Sequence, residues 1–204
     1  MIVIIDYGMG NLGSIQNMLK KVNAHATISS DTKVIASADK LILPGVGSFD
    51  TAVTNLNRLE LIPLLNERVI DGKTPLLGVC LGMQLLTRRS EEGIMPGLGW
   101  INAETIRFRF ENEKLKIPHM GWNTVEIQKK DDPLFRDLSY EARFYFVHSY
   151  YVKCNDPSNV LTTTIYGSDF CSSVVKENIR GVQFHPEKSH KFGMKLLKNF
   201  ADLT

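Results

Sequence analysis

The stretch Pro75-Leu76-Leu77-Gly78-Val79-Cys80-Leu81-Gly82-Met83-Gln84-Leu85-Leu86 constrains the fold of this chain more than any other. It reads as an apolar strand that passes through small residues directly into a helix, with Cys80 at the corner. Gly78 and Gly82 flank the cysteine as glycines flank the serine of a G-x-S-x-G nucleophile elbow, because so sharp a turn leaves no room for side chains beside it. A thiol at such a corner is lifted clear of the backbone, and the positive end of the following helix favours its thiolate. The same pattern fits a buried structural cysteine, since free Cys is among the most buried residue types. The elbow by itself leaves both readings open.

The rest of the chain supports a globular frame for this elbow. Its 204 residues suffice for one domain, and a chain of this size buries roughly 70% of its unfolded surface without disulfide or metal staples. A net charge of +2 gives no electrostatic argument for a nucleic-acid or membrane partner. Met1 leads straight into apolar residues 2–5 without a basic leader, and no apolar run reaches the length of a membrane span. The expectation is a cytoplasmic protein. The three cysteines, at 80, 154 and 171, match neither a disulfide framework nor a zinc cluster. No metal and no cofactor are expected.

Residues 2–5 read as a strand covered on both faces, followed by a glycine-rich loop and a helix over about residues 14–22, where Ile15, Met18, Leu19 and Val22 share one stripe. Gly8-x-Gly10-x-x-Gly13 in that loop, with Asp31 further on, is also the pattern of a dinucleotide-binding turn. Residues 40–43 form a second strand, ending in Pro44-Gly45-Val46-Gly47-Ser48, a loop able to present backbone N–H groups to an anion. A helix over about residues 59–70 precedes the strand at 75–79, and a helix over about 81–89 follows it. Alternating strands and helices predict a parallel sheet whose site gathers at the carboxyl ends of the strands. From residue 104 onward the texture turns β-rich (104–110, 124–127, 144–152, 160–166, 171–176 and 180–184), predicting antiparallel additions before a helix carrying Phe192, Leu196, Phe200 and Leu203.

The strand at 180–184 runs into His185-Pro186-Glu187, which can present an imidazole and a carboxylate on one side. Acyl transfer by cysteine needs a thiolate, a base and a carboxylate that orients the base; Cys80, His185 and Glu187 supply one of each. Alone, His185 and Glu187 would read as surface residues. His119, in Pro118-His119-Met120-Gly121-Trp122-Asn123, is the competing base but has no neighbouring carboxylate, and Gly121 between bulky neighbours suggests a close approach or a turn. The aromatic run 144–152, holding His148 and Ser149, reads as strand end and pocket wall. His119, His148 and His185 lack metal-ligand spacing.

On these motifs, together with Asp6-Tyr7-Gly8-Met9-Gly10-Asn11-Leu12, Leu43 through Phe49, Val147 through Tyr151 and Gly181 through Ser189, the chain resembles the class I (triad) glutamine amidotransferases from end to end. Within them it is most similar to the histidine-pathway branch, the glutaminase subunits of imidazole glycerol phosphate synthase. The resemblance implies a single glutaminase domain over residues 1–204 with a flavodoxin-like α/β fold: a central mixed, mostly parallel sheet flanked by helices. It also implies a heterodimer in which L-glutamine is hydrolysed here and ammonia passes through a tunnel to a (β/α)8 barrel synthase (cyclase) subunit.

By the same resemblance, Cys80 attacks the amide carbon, His185 shuttles the proton, Glu187 orients His185, and a thioester is then hydrolysed. The oxyanion falls to backbone N–H groups of Leu81 and the Val46–Gly47 loop. Gly47, Gln84, His148, Ser149 and Tyr150 map to glutamine binding, and Gly8, Asn11 and Lys188 to the subunit interface. That assigns the Gly8–Gly13 loop to the partner and not to a dinucleotide.

The chain departs from the branch at Ser48 and His190, where alanine and glycine are usual, and its segment 166–173 resembles a paralogous group that supplies ammonia to a sugar amidotransferase of surface polysaccharide synthesis. A non-catalytic homologue is disfavoured by the intact Cys80, His185 and Glu187.

Overall fold

The computed structural model describes residues 1–110, 115–139 and 141–203. Its first part alternates strand and helix: β1 (Ile2–Ile5), α1 (Leu12–Lys21), β2 (Ala26–Ser29), α2 (Thr32–Ala36), β3 (Lys40–Gly45), α3 (Phe49–Arg58), α4 (Leu61–Leu65), β4 (Leu76–Cys80) and α5 (Leu81–Leu85). Strands then predominate: β5 (Ala103–Arg107), β6 (His119–Thr124), β7 (Glu126–Ile127), β8 (Arg143–His148), β9 (Tyr150–Cys154), β10 (Val160–Tyr166), β11 (Ser168–Lys176) and β12 (Ile179–Val182). The last helix is α6 (His190–Ala201).

The main sheet runs β2-β1-β3-β4-β12-β11-β10-β7, with β9 and β5 branching from β11, while β6 and β8 form a separate ribbon. Strands β2, β1, β3, β4 and β12 are parallel, and β11, β10 and β7 are antiparallel additions. The mixed, mostly parallel α/β architecture expected from the sequence is thus observed.

The two faces of the sheet explain why β1 is apolar throughout. Val3 and Ile5 enter one core layer with α2, α3 and α4, whereas Ile2 and Ile4 enter the opposite layer with α1 and α6.

Several boundaries differ from expectation for identifiable reasons. β2 and α2 are too short to stand out by periodicity, whereas α3 was overlooked although Phe49, Ala52, Val53 and Leu56 share one helical stripe. The helix expected over 59–70 divides: Glu60 adopts a left-handed φ of +53°, α4 restarts with Pro63 in its first turn, and residues 66–71 wind as a wider π turn. The helix expected to reach 89 stops at Leu85 because the 97–101 segment competes for its carbonyls: Leu98 N–H donates to Leu85 O at 2.8 Å and Ile101 N–H to Leu86 O at 3.0 Å. Cys80 therefore faces the dipole of little more than one helical turn. The single strand expected over 144–152 is two strands in different sheets, broken at Ser149. Gly121 lies within β6, where an added Cβ would meet nothing within 4 Å; its φ of +132°, not a close approach, calls for glycine.

Gly82 is different. A Cβ there would lie 1.8 Å from the Leu43 carbonyl oxygen, and one at Gly78 would lie 2.7 Å from the Gly82 carbonyl oxygen, so β3, β4 and α5 pack backbone against backbone. Gly82→Ala is expected to destabilise the fold by about 3 kcal/mol or more, read from urea unfolding. Gly13, exposed in the first turn of α1 with nothing within 4 Å of a built Cβ, offers the contrast. Gly13→Ala is expected to stabilise by about 0.5–1 kcal/mol. A loss of stability there would contradict the open space around Gly13.

Candidate active site

Register brings the site together. Gly45 of β3 lies beside Cys80, and Val182 of β12 beside Val79, so the carboxyl ends of adjacent parallel strands deliver the Pro44–Ser48 loop, the elbow and the Gln183–His185 segment to one place. Cys80 holds φ +55° and ψ −111°, a conformation that costs a non-glycine residue on the order of 1–3 kcal/mol and persists where packing over-determines it. Here that packing is the contact of Gly82 with Leu43. Tyr7, fully buried at the end of β1, donates its hydroxyl to Pro44 O at 2.6 Å and so fixes the start of the loop. Burial, with Cys80 beside it, pushes the Tyr7 phenol well up from its ordinary pKa.

His185 Nδ1 donates to Glu187 Oε1 at 2.8 Å, and the same oxygen accepts from Asn11 Nδ2 at 2.9 Å. The loop that carries them is clasped by Ser189, whose hydroxyl donates to His185 O at 2.6 Å and accepts from Tyr145 N–H at 3.0 Å. His185 Nε2 is buried without a hydrogen-bond partner among the described residues, and the imidazole lines the same cavity as Cys80. Burial opposes a charge on His185, but the Cys80 sulfur and the Glu187 carboxylate outweigh it and raise the imidazole pKa to about 10. Burial likewise presses Glu187 upward, yet the imidazole and Asn11 together hold its carboxyl below the ordinary range. The arrangement can hold a proton on His185 within reach of a group bound at the sulfur.

A second polar system starts at the Tyr150 carbonyl. It accepts from His148 Nδ1 at 2.7 Å and from Gln84 Nε2 at 3.2 Å. Because a carbonyl only accepts, His148 carries its proton on Nδ1 and offers Nε2 to His119 Nδ1 at 3.0 Å. His119 Nε2 in turn takes a hydrogen bond from Asn123 Nδ2 at 3.3 Å. Burial lowers the pKa of His148 to about 3 and that of His119 to about 4, so this pair is neutral where His185 is charged.

The cavity has a volume of about 340 Å³. Of the residues singled out from sequence, Cys80, Leu81, Val46, Gly47, Gln84, His148, Ser149, Tyr150 and His185 all line it. Glu187 stands behind His185. His119, the competing base, lies behind the wall, paired with His148.

The three expected interface residues divide. Lys188 is exposed, with Nζ 5.7 Å from the centre of the Tyr145 ring. Gly8 donates its N–H to Asp6 Oδ1. Asn11, half-buried, donates its side-chain amide to Glu187. In the glycine-rich loop, a Cβ at Gly10 would meet Pro44 Cβ at 2.9 Å, and Asp31 caps α2 by accepting from Lys33 N–H at 2.7 Å. Both are thereby used for packing and capping.

Sequence reasoning missed Glu92, Gln183, Tyr7, Pro118 and Val147 as site residues. Glu92 lines the cavity and accepts from Phe49 N–H at 3.1 Å, with burial raising its pKa. It reaches the site only because the 88–99 loop folds back, which no local pattern announces. Gln183 is a fully buried amide whose side-chain partners, Gln84 and Cys80, lie about a hundred residues away in sequence, so local pattern does not announce it either.

A profile of the family described as glutamine amidotransferase class-I matches residues 3–203. A Methanococcus maripaludis protein named imidazole glycerol phosphate synthase subunit HisH 2 is 60% identical over 200 residues, covering 98% of each chain. A Pseudomonas aeruginosa protein of the same name is 50% identical over 204 residues and 100% of each chain. Among solved structures, PurLQS from Thermotoga maritima superposes with a TM-score of 0.74 at 17% identity over 98% of this chain and 96% of that one, a likeness of fold.

The opposite shifts of the histidines can be checked by NMR. The His185 ring is expected to stay doubly protonated through neutral pH and to lose its proton only as pH rises through about 10, while His148 stays neutral down to about 3. A neutral His185 at pH 8 would contradict the charge balance described above.

Proposed function

Because this chain belongs to the glutamine amidotransferase class-I family, we propose that it is a single-domain glutaminase, the subunit that supplies ammonia to an imidazole glycerol phosphate synthase of histidine biosynthesis. The observation that carries this reading is Cys80 and the His185–Glu187 pair around one cavity whose other wall is Gln84 and His148–Tyr150. The Cys80 sulfur attacks the side-chain amide carbon of glutamine, and the charged His185 gives its Nε2 proton to the departing ammonia. His185 then takes a proton from water, which hydrolyses the thioester to glutamate and frees the sulfur. Glu187, held by Asn11, keeps the proton on Nδ1 and the ring in place.

The Leu81 N–H and the Val46 N–H, once the Val46 peptide turns toward the sulfur, bind the oxyanion; Tyr7 holds Pro44 still, so that turn occurs beyond it, where Gly47 has a φ of +109°. The substrate's α-ammonium is matched by the Glu92 carboxylate, and the Gln84 side-chain oxygen, whose amide nitrogen is already committed, offers an acceptor.

Ammonia then passes to a synthase subunit of (β/α)8 barrel type. Docking is supported by an exposed apolar face on β6, where Met120 and Trp122 are 62% and 45% exposed. Trp122 packs edge-on near Tyr145, whose ring Lys188 covers.

One observation favours a second reading, a paralogue serving a sugar amidotransferase. His190, one of the departures from the branch, stacks on Trp122 with ring centroids 5.3 Å apart, so the departure falls on the proposed docking face itself. The chemistry of Cys80 is the same in either case.

Cys80→Ala is expected to abolish ammonia release from glutamine while leaving the circular dichroism spectrum unchanged; retained release would rule out the mechanism. Trp122→Ala is expected to weaken binding to the cyclase subunit by about 30-fold or more in calorimetry, as for a buried interface tryptophan. A purified cyclase that gains no glutamine-dependent activity from this chain, alongside a sugar amidotransferase that does, would favour the paralogue.

A further inference from the structure

We propose that Gln183 is the hydrogen-bond donor that holds the Cys80 sulfur as a ready nucleophile, and that the Tyr150 carbonyl dictates its direction through Gln84. The use of that sulfur rests on the glutaminase reading; the geometry does not.

Gln183 is fully buried one residue beyond β12, next to Cys80 because Val182 pairs with Val79. Its backbone N–H is satisfied by Ser172 O at 2.9 Å, which leaves the side-chain amide to find partners of its own. An amide has two ends that differ only in what they can do, so its direction follows from its neighbours. The Tyr150 carbonyl is acceptor-only and therefore takes the nitrogen of Gln84, at 3.2 Å. The second N–H of that nitrogen reaches Gln183 Oε1 at 3.1 Å. What remains is Gln183 Nε2, which donates to Cys80 Sγ at 3.8 Å, a length suited to the larger radius of sulfur.

Reversing the Gln183 amide would set two NH2 groups against each other at Gln84 and an oxygen lone pair against the sulfur. His148 Nδ1–H occupies the Tyr150 carbonyl as well, so the anchor is held from both sides. A fixed N–H aimed at sulfur holds that atom in place and leaves its other lone pairs directed into the cavity. No proton is transferred, and the amide acts as a preorganised dipole. His185 thus serves the leaving group from one direction while Gln183 steadies the attacking atom from another.

The test is the rate at which iodoacetamide alkylates Cys80 in the intact chain, read by mass on the Cys80 peptide, together with kcat and KM for glutamine. Gln183→Met keeps the bulk and removes the donor; alkylation and kcat are expected to fall by about tenfold, with KM nearly unchanged. Gln183→Glu keeps the acceptor for Gln84 but sets a carboxylate oxygen against the sulfur, and it is expected to be slower still. A residue that merely fills space would leave both rates at the native value, and that result would overturn the proposal. Circular dichroism checks folding. Should neither variant fold, Gln84→Met frees the Gln183 amide to turn, and an unchanged alkylation rate there would overturn the proposal equally. Native Cys80 reacting no faster than half-buried Cys154 would instead overturn the glutaminase reading, an outcome distinct from rapid native alkylation with unaltered variants.

Discussion

The structure depends on a backbone contact with no side chain in it, the approach of Gly82 to the carbonyl of Leu43. This contact brings α5 hard against the end of β3, and that in turn makes the turn at Cys80 sharp enough to need φ +55°. The strain at the cysteine is a consequence of packing and persists because the surrounding strands cannot give. With the elbow fixed, the loop that follows β3 and the segment that follows β12 have little freedom in where they can lie, since both strands are in register with β4. Position is thus set by the sheet before any polar interaction is made.

Polar interactions then divide the site into a charged half and a neutral half. His185, between a sulfur and a carboxylate, gains a proton against the effect of burial; His148, buried against a carbonyl and a second imidazole, gives one up. The two rings line one cavity and are buried alike, so burial alone cannot distinguish them. What distinguishes them is whether an anion faces the ring. The neutral half anchors directions: the Tyr150 carbonyl sets the tautomer of His148 and the amide of Gln84 together.

Much of this was legible in the sequence because it depends on local chemistry. The glycines flanking Cys80 announce a turn, and a histidine, a proline and a glutamate at a strand end announce a paired imidazole. The alternating first part and β-rich second part announce a mixed sheet. What stayed hidden depends on tertiary competition. Helix α5 ends early because residues 97–101 take its carbonyls, and Ser149 divides two strands that hydrophobicity alone runs together. The hydrogen bond from Asn11 to Glu187 was equally hidden, because it joins an amide near the start of the chain to a buried carboxylate near its end. Glu92 and Gln183 joined the site through contacts to residues far away in sequence, which no spacing rule reports.

Strand order carries a further consequence for how such a chain comes to exist. β12 is the last strand in sequence, yet it occupies the middle of the sheet, between β4 and β11. Until residues 179–182 arrive, the β4 edge beside the cysteine is open and the imidazole, its carboxylate and the buried amide are all missing from the site. A nascent or truncated chain therefore carries the elbow without the polar groups that surround it in the closed sheet.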